Sequence, residues 1–200
     1  MNLRQRADQW DRIAGREDCP GVRRWLCVDS VASSSGEGGR DMTAKSDFTE
    51  EEWIQVRRAP FVAGMAITLA DPGGPIEVAK ESVATIKSAT NPPSREQLIA
   101  EIALDIQSMT QQKQNPLGDF KLTKGTEAGA QVLDELRAAK GIVSSKATPE
   151  EDAAFSQWLV TTAQAAADAA KEGGFMGFRA TRVSEGEKDM LDRVRSAVGA

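Results

Sequence analysis

The residues best suited to chemistry are acidic and sit beside glycine turns. Asp71 precedes Pro72-Gly73-Gly74, and Glu77 follows that turn. Glu172 precedes Gly173-Gly174, and Glu185 and Glu187 open the segment beyond the loop. Together Asp71, Glu77, Glu172, Glu185 and Glu187 form an oxygen-only donor set. Such donors select a hard cation such as Ca²⁺ or Mg²⁺. A simpler use competes with this one. Glu185 and Glu187 fall in a first helical turn, where carboxylates satisfy backbone N–H groups and offset the macrodipole. EF-hand spacing is absent. An enzyme built on these acids would need at least two of them to converge in a cleft with raised pKa values. Adjacent pairs such as Asp134-Glu135 and Glu150-Glu151 point in different directions on a helix, so they do not make an acid/base dyad.

Composition removes other chemistries. The 200 residues contain no histidine, which excludes imidazole acid/base catalysis, Ser-His-Asp and Cys-His nucleophiles, and His-ligated zinc. The two cysteines, Cys19 and Cys27, lie near the start and lack CxxC spacing. The formal net charge of −5 disfavours nucleic acid, whose phosphates call for a basic patch. No apolar run approaches the ~20 residues that span a bilayer, and no secretory h-region is present. These features read as a cytoplasmic protein whose partner is another protein; they leave its oligomeric state open.

The elements that must position the acids read as helices. Four segments share the form S/T-x-x-E/Q: Thr49–Glu52, Ser94–Gln97, Thr148–Glu151 and Ser184–Glu187. In this pattern a hydroxyl accepts from the N3 backbone N–H while the N3 side chain reaches back to the cap. Each is followed by apolar residues at helical spacing. A first helix starts at Glu50, and Pro60 either kinks it or opens the next. The next helix begins at Pro75, with Ile76, Ala79, Val83 and Ile86 expected to face inward. Leu98, Ile99, Ile102, Ile106 and Met109 line another from Ser94. Val132, Leu133, Leu136, Ala139 and Val143 line a helix that should fray between Gly141 and Ala147. Phe155, Trp158, Leu159, Thr162, Ala166 and Ala169 line the long one. Met190, Leu191, Val194 and Val198 line the last. No strand shows period-2 alternation. The expected fold is all-α, a compact bundle of about six helices in a single domain, residues 42–200. Trp53 and Trp158 read as core, and Arg57-Arg58 as solvated surface.

Residues 1–41 differ in kind. They carry seven Arg and no Lys, both cysteines, and a low-complexity run from Ser33 to Gly39. Residues 42–200 carry ten Lys and eight Arg. Met42-Thr43-Ala44-Lys45 reads as an ordinary protein start, so translation is expected to begin there. The alternative is a genuine, mostly disordered tail with one short helix lined by Leu3, Ala7, Trp10 and Ile13.

Two places repeat one plan: a small-residue helix, an acidic residue before glycines, then a helix with acids at its start. Ala70-Asp71, Ser184-x-x-Glu187, Leu191, Val194 and Val198-Gly199 carry it. This plan resembles the tellurite-resistance TerB-like family over roughly residues 49–199. The resemblance implies an all-α domain with a duplicated helix–acidic loop–helix plan, stress-linked function, and a cation held by the acidic loops. The chain departs from the pattern at Glu172, at Pro72 and Pro75, and in the insertion Phe175-Met176-Gly177-Phe178-Arg179. Gly173–Phe178 lacks the preceding strand of a dinucleotide fingerprint. It reads either as a small phosphate- or peptide-binding turn or as a plug whose Phe175 and Phe178 pin the last helix. With no histidine, no cysteine after Cys27 and no convergent polar set, the sequence reads as a non-catalytic interaction or stress-associated module. A Ca²⁺- or Mg²⁺-binding domain is the second reading, and a carboxylate enzyme the third.

Overall fold

Thr49 begins the first helix by a two-way exchange. Its hydroxyl accepts from the Glu52 N–H at 3.2 Å, and the Glu52 carboxylate accepts from the Thr49 N–H at 2.8 Å. The helix α1 then runs from Glu50–Ala70 without interruption. It continues through Pro60, so the helix does not restart there. Pro60 offers no N–H to the Val56 carbonyl. Val56, Ala59, Phe61, Val62 and Ala63 are all buried around it, so packing on every side holds the helix together.

The computed structural model describes residues 42–123, 127–171 and 184–200, and among these every regular element is a helix. After a 3₁₀ turn at Lys45–Asp47 and α1 come α2 (Pro75–Thr90), α3 (Gln97–Gln111), α4 (Ala128–Lys146), α5 (Pro149–Lys171) and α6 (Glu185–Val198). The all-α bundle of six helices expected from the sequence is therefore present. The N-terminal 41 residues and the Gly173–Phe178 loop lie outside the described residues. α1 and α5 each pack against all the other helices and form the centre of the core.

Three of the four expected capping boxes form, at Thr49, Thr148 and Ser184. The fourth does not. α3 begins at Gln97 rather than after Ser94, whose hydroxyl accepts from the Glu96 N–H at 3.1 Å. The Leu98 N–H instead donates to the Glu151 carboxylate at 3.2 Å. That one carboxylate also accepts from the N–H groups of Thr148 at 3.1 Å and Thr43 at 3.3 Å. A single side chain of α5 thus joins the segment before α1, the start of α3 and the start of its own helix.

α4 continues through Gly141 to Lys146 instead of fraying. Its end is held by the Lys146 ammonium, which pairs with Glu52 and donates to the Asp47 carbonyl, both at 2.9 Å. The expected inner faces of α3, α4 and α6 are all buried. Trp53 and Trp158 are core residues, 3% and 0% exposed. Arg57 and Arg58 are not solvated surface. Arg57 pairs with Asp105 at 2.8 Å and Arg58 with Glu135 at 2.6 Å, all four side chains being largely covered. Asp105 also accepts from the Trp53 indole N–H at 2.7 Å. Burial pushes the Asp105 carboxyl up, but Arg57, Trp53 and Lys45 outweigh it and hold it below the usual range.

Candidate functional site

Of the five acids marked in the sequence, the fold brings three to one end of the bundle. Asp71 closes α1 and is exposed. The Glu77 carboxylate turns back to the Gly74 N–H at the start of α2. Glu187 is buried and completes a capping box: its carboxylate accepts from the Ser184 N–H at 2.7 Å, and the Ser184 hydroxyl accepts from its own N–H at 3.1 Å. The start of α6 lies against the end of α1 closely enough that a methyl at Gly186 would sit 3.0 Å from the Ala70 carbonyl oxygen. Glu185 points away, 98% exposed and 3.2 Å from the Lys188 ammonium. Glu172 is outside the described residues. Among the described residues no group of three or more Asp, Glu, His or Cys side chains is arranged to hold a metal ion.

The acid that the sequence reading missed is Glu81. It is 1% exposed. Burial drives its carboxyl above the usual range, the Thr68 hydroxyl 2.5 Å away opposes that, and the charges of Glu187, Glu77 and Asp71 push it further up. Asp71, Glu77 and Glu187 are thus felt together at this one buried group. Both Glu77 and Glu187 commit an oxygen to a backbone N–H.

Glu81 is buried because α2 faces the other way from expectation. The stripe Ile76, Ala79, Val83 and Ile86 was expected inside. All four are exposed, with Ile76 at 73%, Val83 at 65% and Ile86 at 41%. The buried face is Glu81, Thr85 and Ala89, with Ser88 beside it. Its complement comes from other helices. Gly64 of α1 lets Thr85 approach so closely that an added methyl would overlap the Thr85 side chain. Thr68 bonds Glu81, the Ser88 hydroxyl meets the Thr162 hydroxyl at 2.8 Å, and the Trp158 indole N–H donates to the Ser88 carbonyl at 3.0 Å. A polar face finds polar partners and tight backbone contact, and the apolar face is left outside. The spacing of Glu81, Thr85 and Ala89 was a visible signal, but only Gly64, Thr68 and Thr162 give it meaning.

Two concave surfaces flank α2. On the outer side Ile76, Ala79, Val83 and Ala84 line a shallow groove of about 620 Å³, bounded by Lys80, Lys87 and Ala169 of α5. On the inner side a half-enclosed cleft of about 250 Å³ opens between α1, α2 and the 112–123 loop, lined by Phe61, Gly64, Met65, Thr68, Ser82, Thr85, Ile86, Pro116 and Leu117. Among the described residues no helix is long and apolar enough to cross a membrane. No family model, no curated protein and no solved structure matches this chain.

Proposed function

We propose that this protein is a non-catalytic docking module whose exposed α2 face receives one amphipathic helix of another protein. The observation that carries this reading is the inverted packing of α2. A bundle that places glutamate and threonine inside while Ile76, Val83 and Ile86 stand exposed keeps an apolar stripe at helical spacing on its surface. Such a stripe suits helix-in-groove recognition. Lys80 and Lys87 border the groove of a chain whose net charge is −5. The partner helix therefore carries acidic residues beside its apolar ones.

The test is site-specific photocrosslinking from position 83 in the native host, with position 137 as the control. The expected product joins position 83 to a helical segment of a second protein, with acidic residues flanking its apolar face. Val83→Asp in the same chain should abolish complex formation. A crosslink only to a second copy of this chain, or equal yields from both positions, would overturn the reading.

A second reading, a Ca²⁺ or Mg²⁺ site at the acidic end, draws on the shared influence of Asp71, Glu77 and Glu187 on Glu81. It accords with the TerB-like plan read from the sequence. Its test is a thermal melt with EDTA and then with each ion. Saturating metal at about a hundred times its Kd stabilises by roughly 2.7 kcal/mol. That shift must vanish in Asp71→Ala or Glu187→Ala, and no shift with either ion would remove the reading.

A further inference from the structure

We propose that the cleft between α1, α2 and the 112–123 loop binds a small uncharged ring compound that carries one hydrogen-bond donor, with the size and polarity of indole. This site meets the docking stripe only at Ile86 and shares no lining residue with the outer groove, so it does not depend on the docking reading.

Size sets the first limit. The cleft measures about 250 Å³. An apolar cavity of about 150 Å³ holds benzene, so this one admits roughly ten heavy atoms in compact rings. Its walls suit a ring. Phe61, Met65, Ile86, Pro116 and Leu117 supply apolar surface, and Thr85 packs directly against Gly64 at the floor. The loop wall is braced: the Leu117 N–H donates to the Asn115 side-chain oxygen at 3.1 Å, and the Asn115 amide donates to the Gly118 carbonyl at 3.2 Å. Leu117 and Phe120 also pack on the core.

Charge sets the second limit. No lining residue is charged, so an anion or a cation would lose its hydration without a counter-charge to replace it. The hydroxyls set the third. Ser82 donates to the Val78 carbonyl at 2.7 Å, Thr85 to the Glu81 carbonyl at 2.8 Å, and Thr68 to the Glu81 carboxyl at 2.5 Å. Each hydroxyl has one proton, and all three are engaged within the protein. The cleft therefore offers oxygen lone pairs and no donors, which selects a ligand that donates. A ring N–H or O–H fits; a carboxylate or a ketone does not.

The test is ligand-observed NMR and calorimetry on the full chain with indole, naphthalene, benzoate and benzylamine as probes. Indole is expected to bind at one saturable site per chain, naphthalene several-fold more weakly, and the two ions not measurably. Ser82 is exposed at the mouth of the cleft, so Ser82→Trp should fill it without disturbing the core and weaken indole by at least about tenfold. If that variant fails to fold, Ser82→Leu serves the same purpose. Val83→Asp alters the docking stripe one residue away and should leave indole binding unchanged, which separates failure of this site from failure of the docking face. Absence of saturable indole binding, or indole affinity unchanged by a folded Ser82 variant, would overturn the site. Equal affinity for naphthalene or benzoate would overturn the donor-bearing, uncharged specificity.

Discussion

Glu151 and Glu81 are equally hidden, each 1% exposed, yet their carboxyl groups are driven in opposite directions. Burial pushes both up. At Glu151 that push is overcome by the bonds from Thr43, Thr148 and Leu98, so the group sits below its ordinary value. At Glu81 one hydroxyl from Thr68 answers burial, and three neighbouring carboxylates add to it. The difference is in the donors, not in the depth. Glu151 lies where two helices begin, and helix starts supply unpaired N–H groups. Glu81 lies in the middle of α2, where the backbone N–H groups are already engaged. One corner of the bundle is therefore fully satisfied and fastens the chain. The other is imperfect, and its Thr68 lines the inner cleft.

The largest break in that comparison should come at Glu151. Glu151→Ala leaves the buried N–H groups of Thr43 and Leu98, and the part-buried one of Thr148, without this partner. It should destabilise by about 3 kcal/mol or more, read from urea unfolding. Next is Gly64→Ala, whose methyl overlaps Thr85 and forces α2 away from α1. It should cost about 1–3 kcal/mol and lower the melting temperature. Glu81→Gln should act in the other direction. It keeps a partner for Thr68 and removes a costly buried charge, so it should raise stability at pH 7 by about 1 kcal/mol. The smallest effect should come from Val83→Asp on the exposed stripe, within about 0.5 kcal/mol of the parent, although it abolishes docking.

The acid dependence of stability sharpens the same contrast. Folded Glu151 titrates below its ordinary 4.5, so as pH falls the unfolded chain takes up the proton first. Its stabilisation is complete above about pH 4.5 and is lost as pH drops through the lowered folded value. Folded Glu81 titrates above 4.5, so as pH rises the folded chain holds its proton longer. Its contribution is complete below about pH 4.5 and declines as pH climbs through the raised value. Urea midpoints measured across both windows should fall at the acid end in a manner that Glu151→Gln flattens. Just above pH 4.5 they should carry an opposing slope that Glu81→Gln removes.

Much of the fold was legible in the sequence, because helix periodicity and caps are local. The apolar faces of α3, α4 and α6 were legible since several bulky residues recur at helical spacing on one side of each; on α3, Leu98, Ile99, Ile102 and Ile106 outnumber the exposed Leu104. The box at Ser94 did not form: Ser94 accepts from the Glu96 N–H, and a distant carboxylate, Glu151, accepts from the Leu98 N–H in the first turn of α3. The face of α2 was misread because hydrophobicity was taken as the sole guide to burial. Ile76, Ala79, Val83 and Ile86 match the helical period as well as any core stripe. The candidate site was legible only in part: Asp71, Glu77 and Glu187 were marked, while Glu81, Thr68 and the 112–123 wall were not.

Residue types, helical periodicity and neighbours within one turn were enough for the fold class, for the helix starts at Thr49, Thr148 and Ser184, and for the lack of imidazole chemistry. The tertiary structure alone decided which side of α2 faces inward. That choice turns on the fit of Thr85 against Gly64, of Glu81 against Thr68 and of Ser88 against Thr162. These are contacts between α2 and two other helices, α1 and α5, and steric fit and hydrogen bonding at such contacts outweigh a local apolar pattern.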